Sequence, residues 1–223
     1  MSSWNQFTQF LFQKVNRGSS VAPRRLLLIQ KLPRVKMKLN QIWLDLGAGD
    51  GTYLRYMSQD SYGLDIKGDA DRKIQSWNFN SKVPDILQSS TDVVWCSNLI
   101  EHVLRPHEFL LEIKRFLRKD GILILVCPQT LIRNPLIYRG TLQGDHVNFF
   151  NLSTLKLTVK AAGFEVLYSG TPSFTKFGMR LAFVAPTIFV VIKPIQDFQY
   201  PQSAHKYLDA DGKICFKEEN LGH

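Results

Sequence analysis

The chain has 223 residues, 44% hydrophobic and 21% charged, which suits one globular domain with a full core. Its cysteines, Cys96, Cys127 and Cys215, are three, widely spaced and without a C-x-x-C pair. That argues against a disulfide framework or a cysteine zinc site and fits a reducing compartment. The net charge of +9 is gathered at the start, where Lys14, Arg17, Arg24, Arg25, Lys31, Arg34, Lys36 and Lys38 all precede the first acid, Asp45. Three readings of this stretch stand side by side: a solvated appendage, a patch for an anionic partner such as a membrane face, and a cleaved transit peptide. Nucleic-acid binding has no support, because no known nucleic-acid module is visible. No apolar run is long enough for a membrane span; residues 181–192 come nearest and follow Arg180 closely. The expectation is a cytoplasmic protein, with peripheral attachment to anionic membrane as the role open to the basic segment.

In chain order, Trp4, Phe7, Phe10, Leu11 and Phe12 predict an amphipathic helix that ends near Gly18. A second helix is expected over 22–32, its Leu26-Leu27-Leu28-Ile29 run packing onto the domain before Pro33 stops it. Ile42, Trp43, Leu44 and Leu46 then predict a buried strand. It leads into alternating Gly47, Gly49 and Gly51, and Thr52-Tyr53-Leu54 opens a short helix over 53–58. Further strands are expected over 62–65, 74–79, 91–97 and 122–127. A helix over 106–117 presents Phe109, Leu110, Ile113, Phe116 and Leu117 on one face. Only 66–73 separates the second and third strands, so any helix there is one turn at most.

Residues 129–151 form a long irregular connection, a length that is usually functional. A helix over 153–162 stops at Gly163. A strand over 164–168, a helix over 177–183 and a last strand over 187–192 follow. This alternation predicts an α/β, doubly wound, largely parallel sheet. The organisation is a basic helical segment (1–38), one domain (39–195) and a loosely packed tail (196–223).

The strand–glycine turn–helix unit is a nucleotide-binding layout, in which glycines let backbone approach a ligand closely. A dinucleotide fingerprint needs G-x-G-x-x-G, whose third glycine would fall on Thr52. What stands is D-x-G-x-G-x-G with Asp45 in the lead. A carboxylate there would repel a pyrophosphate and attract a cationic ligand end. S-adenosylmethionine has an ammonium, a sulfonium and no phosphate, and the stretch 41–54 resembles motif I of class I S-adenosylmethionine-dependent methyltransferases. Two later stretches extend the resemblance. LIEHVLRPHEFLLEIKRFLRKDGILILVCP (99–128) is similar to the family's fourth-to-fifth-strand segment. GDHVNFFNLSTLKLTVKAAGF (144–164) resembles the aromatic-flanked His and helix of the quinone- and glycan-pathway branch.

The resemblance implies a Rossmann-like sheet of seven strands, mostly parallel with the last antiparallel, and helices on both faces. It implies S-adenosylmethionine as cofactor, held by Asp45, Gly47, Ala48, Gly49, Gly51, Asp65, Ile66, Asn78, Ser97 and His102. Within this set Asp45 would support the turn and the ammonium, and Asp65 the ribose hydroxyls. Asn78 stands where many relatives have an acid for the adenine amino group, and its amide oxygen would have to accept that bond.

Methyl transfer from a sulfonium needs positioning and exclusion of water more than a protein nucleophile. A base is needed only for a protonated acceptor, and His146 with its neighbour Asp145 is the first candidate; anchoring of the long loop is the alternative role for His146. No metal is expected, because Glu101-His102 shows no third ligand in the sequence. The acceptor is a small molecule or a lipid or glycan intermediate, with O-methylation expected and Arg133, Tyr138 and Arg139 as candidate contacts. A binding protein without turnover, and less plausibly a nicotinamide-dependent oxidoreductase, are the competing classes.

Overall fold

The computed structural model describes residues 25–26, 40–83, 87–129, 146–170, 175–176, 179–180 and 187–198. The expected helix over 4–18, the loop residues Arg133, Tyr138, Arg139 and Asp145, and the tail after 198 lie outside them. Of the expected helix over 22–32, Arg25 and Leu26 are described, and both are helical.

One seven-stranded sheet carries the molecule. β1 (Trp43–Leu46), β2 (Tyr62–Asp65), β3 (Ile74–Ser76), β4 (Thr91–Ser97), β5 (Leu117–Pro128), β6 (Phe164–Gly170) and the late strand Thr187–Pro194 form it. Two short strands, β7 (Thr175–Lys176) and β8 (Met179–Arg180), pair with each other in a separate sheet, so Thr187–Pro194 is β9. The sheet order is β3-β2-β1-β4-β5-β9-β6. β9 runs antiparallel to both β5 and β6, and the remaining pairs are parallel. The strand order turns outward in both directions from β1 and β4, and such a switch point opens a crevice at the carboxyl ends of the strands.

Side chains alternate across the sheet into two cores. One face gathers Leu44, Leu46, Val94, Cys96, Leu123 and Leu125 under α1 (Pro106–Phe116) and α2 (Leu152–Ala161). The other gathers Trp43, Val93, Trp95, Ile124, Val126 and Val191 with Leu26 of the leading helix. Burial on both faces explains why the central strands read as unbroken apolar runs rather than alternating ones. Cys96 and Cys127 are plain core thiols; burial pushes Cys127 above the usual thiol range.

Four expectations need correction. The helix over 53–58 is a single 3-10 turn, Leu54–Tyr56, and the chain is extended again at Met57. Tyr53, Tyr56 and Met57 pack on the second core, and that packing fixes the short crossover instead of a helical ladder. β3 stops at Ser76 rather than 79: Ser81 N–H donates to Asn78 O, turning the chain. Trp77 and Phe79 fold into the first core, edge-on to Phe116 and Phe109 respectively. The helix expected over 177–183 is strand at Met179–Arg180, the rest of that span being outside the described residues. The fifth strand starts at Leu117, directly from α1. Between Thr91 and Val93 of β4 its register slips, Leu117 pairing with Thr91 and Ile122 with Val93.

The first described residue of the tail's aromatic set is docked. Lys114 Nζ lies 5.0 Å from the Phe164 ring centroid and 5.1 Å from that of Phe198. A Cβ on Gly163, at φ +73°, would collide with Phe198, so the glycine serves both the helix stop and this contact. Among the described residues no helix is long and apolar enough to cross a membrane.

Candidate active site

At the carboxyl end of β1, Asp45 sits between Gly63 of β2 and Trp95 of β4. It is 1% exposed, and among the described residues its Oδ2 has no hydrogen-bond partner. Burial, with Asp65 and Asp50 nearby, pushes its carboxyl up to about 7. An orphaned buried carboxylate oxygen is costly unless a donor or cation reaches it.

The glycine turn is built backward from β2. Gly47 N–H and Ala48 N–H both donate to Leu64 O, at 2.9 and 3.2 Å, and Gly51 N–H donates to Ala48 O at 2.8 Å. Gly47 has φ +77°, and a Cβ there would meet Leu99 Cβ at 3.3 Å. Gly49 has φ +55° and nothing within 4 Å of a Cβ position, so open space faces it. Asp65 Oδ2 accepts from Gly49 N–H at 2.9 Å, and Oδ1 lies 3.3 Å from Lys67 N–H. Asp65 therefore holds the turn shut, and each of its oxygens keeps accepting capacity beyond these bonds. Ile66, the next residue, is 67% exposed, an apolar surface beside that carboxylate.

Asn78 is exposed, and its Oδ1 already accepts from Asn80 N–H at 3.0 Å. One lone pair remains for an incoming amino group. Ser97, at the end of β4, is claimed by one of the eight basic residues of the leading segment. Arg25 Nη1 donates to Ser97 Oγ at 3.0 Å and to Tyr53 Oη at 3.1 Å. Tyr53 in turn tilts against Trp95, ring centroids 5.0 Å apart. Arg25 thus belongs to the rim of the crevice rather than to an exposed basic patch. Gly63 was also overlooked: a Cβ there would stand 2.6 Å from Ala48 Cβ. Glycine inside a strand signals such close approach, and YGLD carries that signal.

On the far side of Ser97, the 3-10 turn Ile100–His102 carries Glu101 and His102. His146 lies against it. The His102 and His146 ring centroids are 4.6 Å apart at 76°, and Glu101 is 2% exposed beside them. Val147 N–H and Asn148 N–H both donate to Glu101 O, at 3.0 and 2.9 Å, and Asn148 Nδ2 donates to Val103 O at 2.5 Å. The third donor that the sequence did not reveal beside Glu101-His102 is therefore His146. His107 is structural: its Nε2 lies 3.2 Å from Ala161 O.

The pieces fit S-adenosylmethionine on one observation above all, the orphaned Asp45 oxygen, which an ammonium would satisfy next to a turn with open space at Gly49. The residue set divides in two: Asp45, the glycine turn, Asp65 and Ile66 on the β1–β2 side, and His102 with His146 beyond β4.

Comparisons with known proteins agree. A family model described as a methyltransferase domain matches residues 5–169. A methyltransferase of Haloferax volcanii, solved in complex with the Trm112 activator, superposes with TM-score 0.60 at 18% identity over 89% of this chain and all of its own. An S-adenosylmethionine-dependent methyltransferase from Mesorhizobium loti gives 0.58 at 14% identity, covering 78% of this chain and 98% of its own. The 1,6-didemethyltoxoflavin-N1-methyltransferase of Burkholderia thailandensis gives 0.52 at 13% identity, over 87% of this chain and 79% of its own. A sequence search of curated proteins finds no match. With the seven-stranded mixed sheet and the family model covering most of its length, the chain belongs to the methyltransferase domain family and is a class I methyltransferase.

Proposed function

We propose that the protein transfers a methyl group from S-adenosylmethionine to an oxygen of a small-molecule acceptor or of a lipid or glycan intermediate. The observation that carries this reading is Asp45, buried, raised to about 7 and with an oxygen at the switch point that has no hydrogen-bond partner among the described residues. The cofactor, when bound, supplies an electrophilic methyl on sulfur. Asp45 holds the ammonium, Gly47, Ala48, Gly49 and Gly51 pass beneath the methionine and ribose, and Asp65 takes ribose hydroxyls. Ile66 offers the adenine an apolar face, and Asn78 accepts from its amino group. Ser97 and His102 close the methionine side, Ser97 through its bond to Arg25.

The acceptor lies beyond β4. Leu104, Val147 and Phe149 are exposed apolar residues on the two segments that bear His102 and His146, and they support an acceptor with an apolar portion. His146 takes the acceptor's proton, with its neighbour Asp145 supporting it. The Burkholderia relative acts on a small molecule by its own description, which agrees with this acceptor class. The basic leading segment is assigned to an anionic membrane face, Arg25 excepted.

The test is methyl transfer from labelled cofactor to a panel of phenols, hydroxylated isoprenoids and sugar conjugates. His146→Ala should lower turnover roughly a hundredfold to ten-thousandfold while cofactor affinity barely moves. The rate of the wild type should rise with pH through a group near neutrality, and that limb should vanish in the variant. Full activity and an unchanged pH profile in His146→Ala would make the residue a loop anchor.

A further inference from the structure

We propose that Glu101, His102 and His146 form a divalent transition-metal site on the acceptor side of the crevice. The inference rests on the reading that this side receives the acceptor. One ligand atom from each residue lies within 4.8 Å of the others. Tetrahedral coordination with bonds of about 2.1 Å asks for donor separations of about 3.4 Å, which rotations of the two half-buried imidazoles can supply.

The backbone is already set for it. Glu101 and His102 share one 3-10 turn, and His146 arrives from the far end of the long connection. Both following amides, of Val147 and Asn148, are tied to Glu101 O, and Asn148 Nδ2 to Val103 O. Three hydrogen bonds thus fix the register of one segment on the other at the residues that carry donors. Pinning a ligand set in this way removes ordering entropy from the binding step.

The donor set selects the ion. Two imidazoles and one carboxylate suit zinc, iron, cobalt or nickel, whereas magnesium and calcium prefer all-oxygen sites. Glu101 is buried and both His residues are half-buried, so protein closes the site at the carboxylate and leaves the imidazoles partly accessible. Three protein ligands with an open position is the arrangement of catalytic rather than structural metal sites.

A cation there weakens the hold of an acceptor hydroxyl on its proton. The O–H bond breaks with its electron pair left on oxygen, and the proton passes to water. That oxygen forms the new bond to the methyl carbon as the carbon–sulfur bond breaks onto sulfur. In the absence of the cation, His146 takes the proton itself.

The experiment is titration of tag-free, chelator-treated protein with cobalt(II), followed by visible absorption and calorimetry. One equivalent should bind with a ligand-field band, and His146→Ala and Glu101→Gln should each weaken binding at least tenfold. S-adenosylhomocysteine stabilisation, measured on the same samples, reports fold and cofactor site separately. Variants that keep this stabilisation yet lose cobalt support the site. Absence of a saturable cobalt band in wild type, or an identical titration in both variants, overturns it while leaving the cofactor reading intact; loss of the stabilisation in wild type would instead sink the cofactor reading.

Discussion

At the scale of single residues, Asp45 couples fold and function most tightly. Its carboxyl is raised from 3.8 to about 7, so between those values the folded state keeps a proton that the unfolded chain has lost. Stability of the ligand-free protein therefore falls as pH rises through that window, by on the order of a few kcal/mol, and this contribution is flat above it. Asp45→Asn should raise the melting temperature at pH 8, abolish that slope and weaken S-adenosylhomocysteine. For wild type, cofactor affinity should increase as pH rises through about 7, because the ionised form pairs with the ammonium. Calorimetric affinity at pH 6 and pH 8 checks this; an unchanged ratio in Asp45→Asn would assign the pH dependence elsewhere. Gly63→Ala tests the turn from beneath. With Ala48 Cβ 2.6 Å from the added methyl, the turn must shift, costing about 1–3 kcal/mol and weakening the cofactor together with the fold. Equal stability by denaturant titration would show that β2 can yield without the turn.

At the scale of elements, α2 sits on a capping box: Asn151 Oδ1 accepts from Thr154 N–H at 2.8 Å, and Thr154 Oγ1 from Asn151 N–H at 2.9 Å. Asn151→Ala should cost about 1 kcal/mol in denaturant unfolding and leave cofactor affinity unchanged, since α2 packs away from the glycine turn. The strands were legible in the sequence because burial on both faces writes them as apolar runs, and the glycine spacing with Asp45 located the crevice. Other features were not legible for identifiable reasons. Trp77 and Phe79 look like strand residues, but their rings serve the core after the ladder has ended. Residues 53–58 look helical, yet tertiary packing of Tyr53 and Tyr56 outweighs the weak propensity of so short a segment. Arg25 reads as one charge among eight, and only the docking of its helix through Leu26 brings it to Ser97. The meeting of His146 with Glu101-His102 depends on where a long connection returns, which local pattern does not encode.

At the scale of the whole molecule, a strongly basic leading segment precedes a sheet whose ligand crevice opens at the ends of β1 and β4. If its charges engage anionic lipid, vesicles containing such lipid should retain the protein at low salt, and retention should fade as the Debye length shrinks toward about 3 Å near 1 M salt. Equal recovery on neutral vesicles would leave the segment to packing, the role already shown by Leu26. The central claim is that the crevice above Asp45 binds S-adenosylmethionine, and thermal unfolding with its product, S-adenosylhomocysteine, tests it most directly. A hundredfold excess over the dissociation constant should stabilise the folded protein by about 2.7 kcal/mol, with NAD giving no shift. An unchanged melting temperature at millimolar S-adenosylhomocysteine, in protein shown to be folded, would contradict the claim.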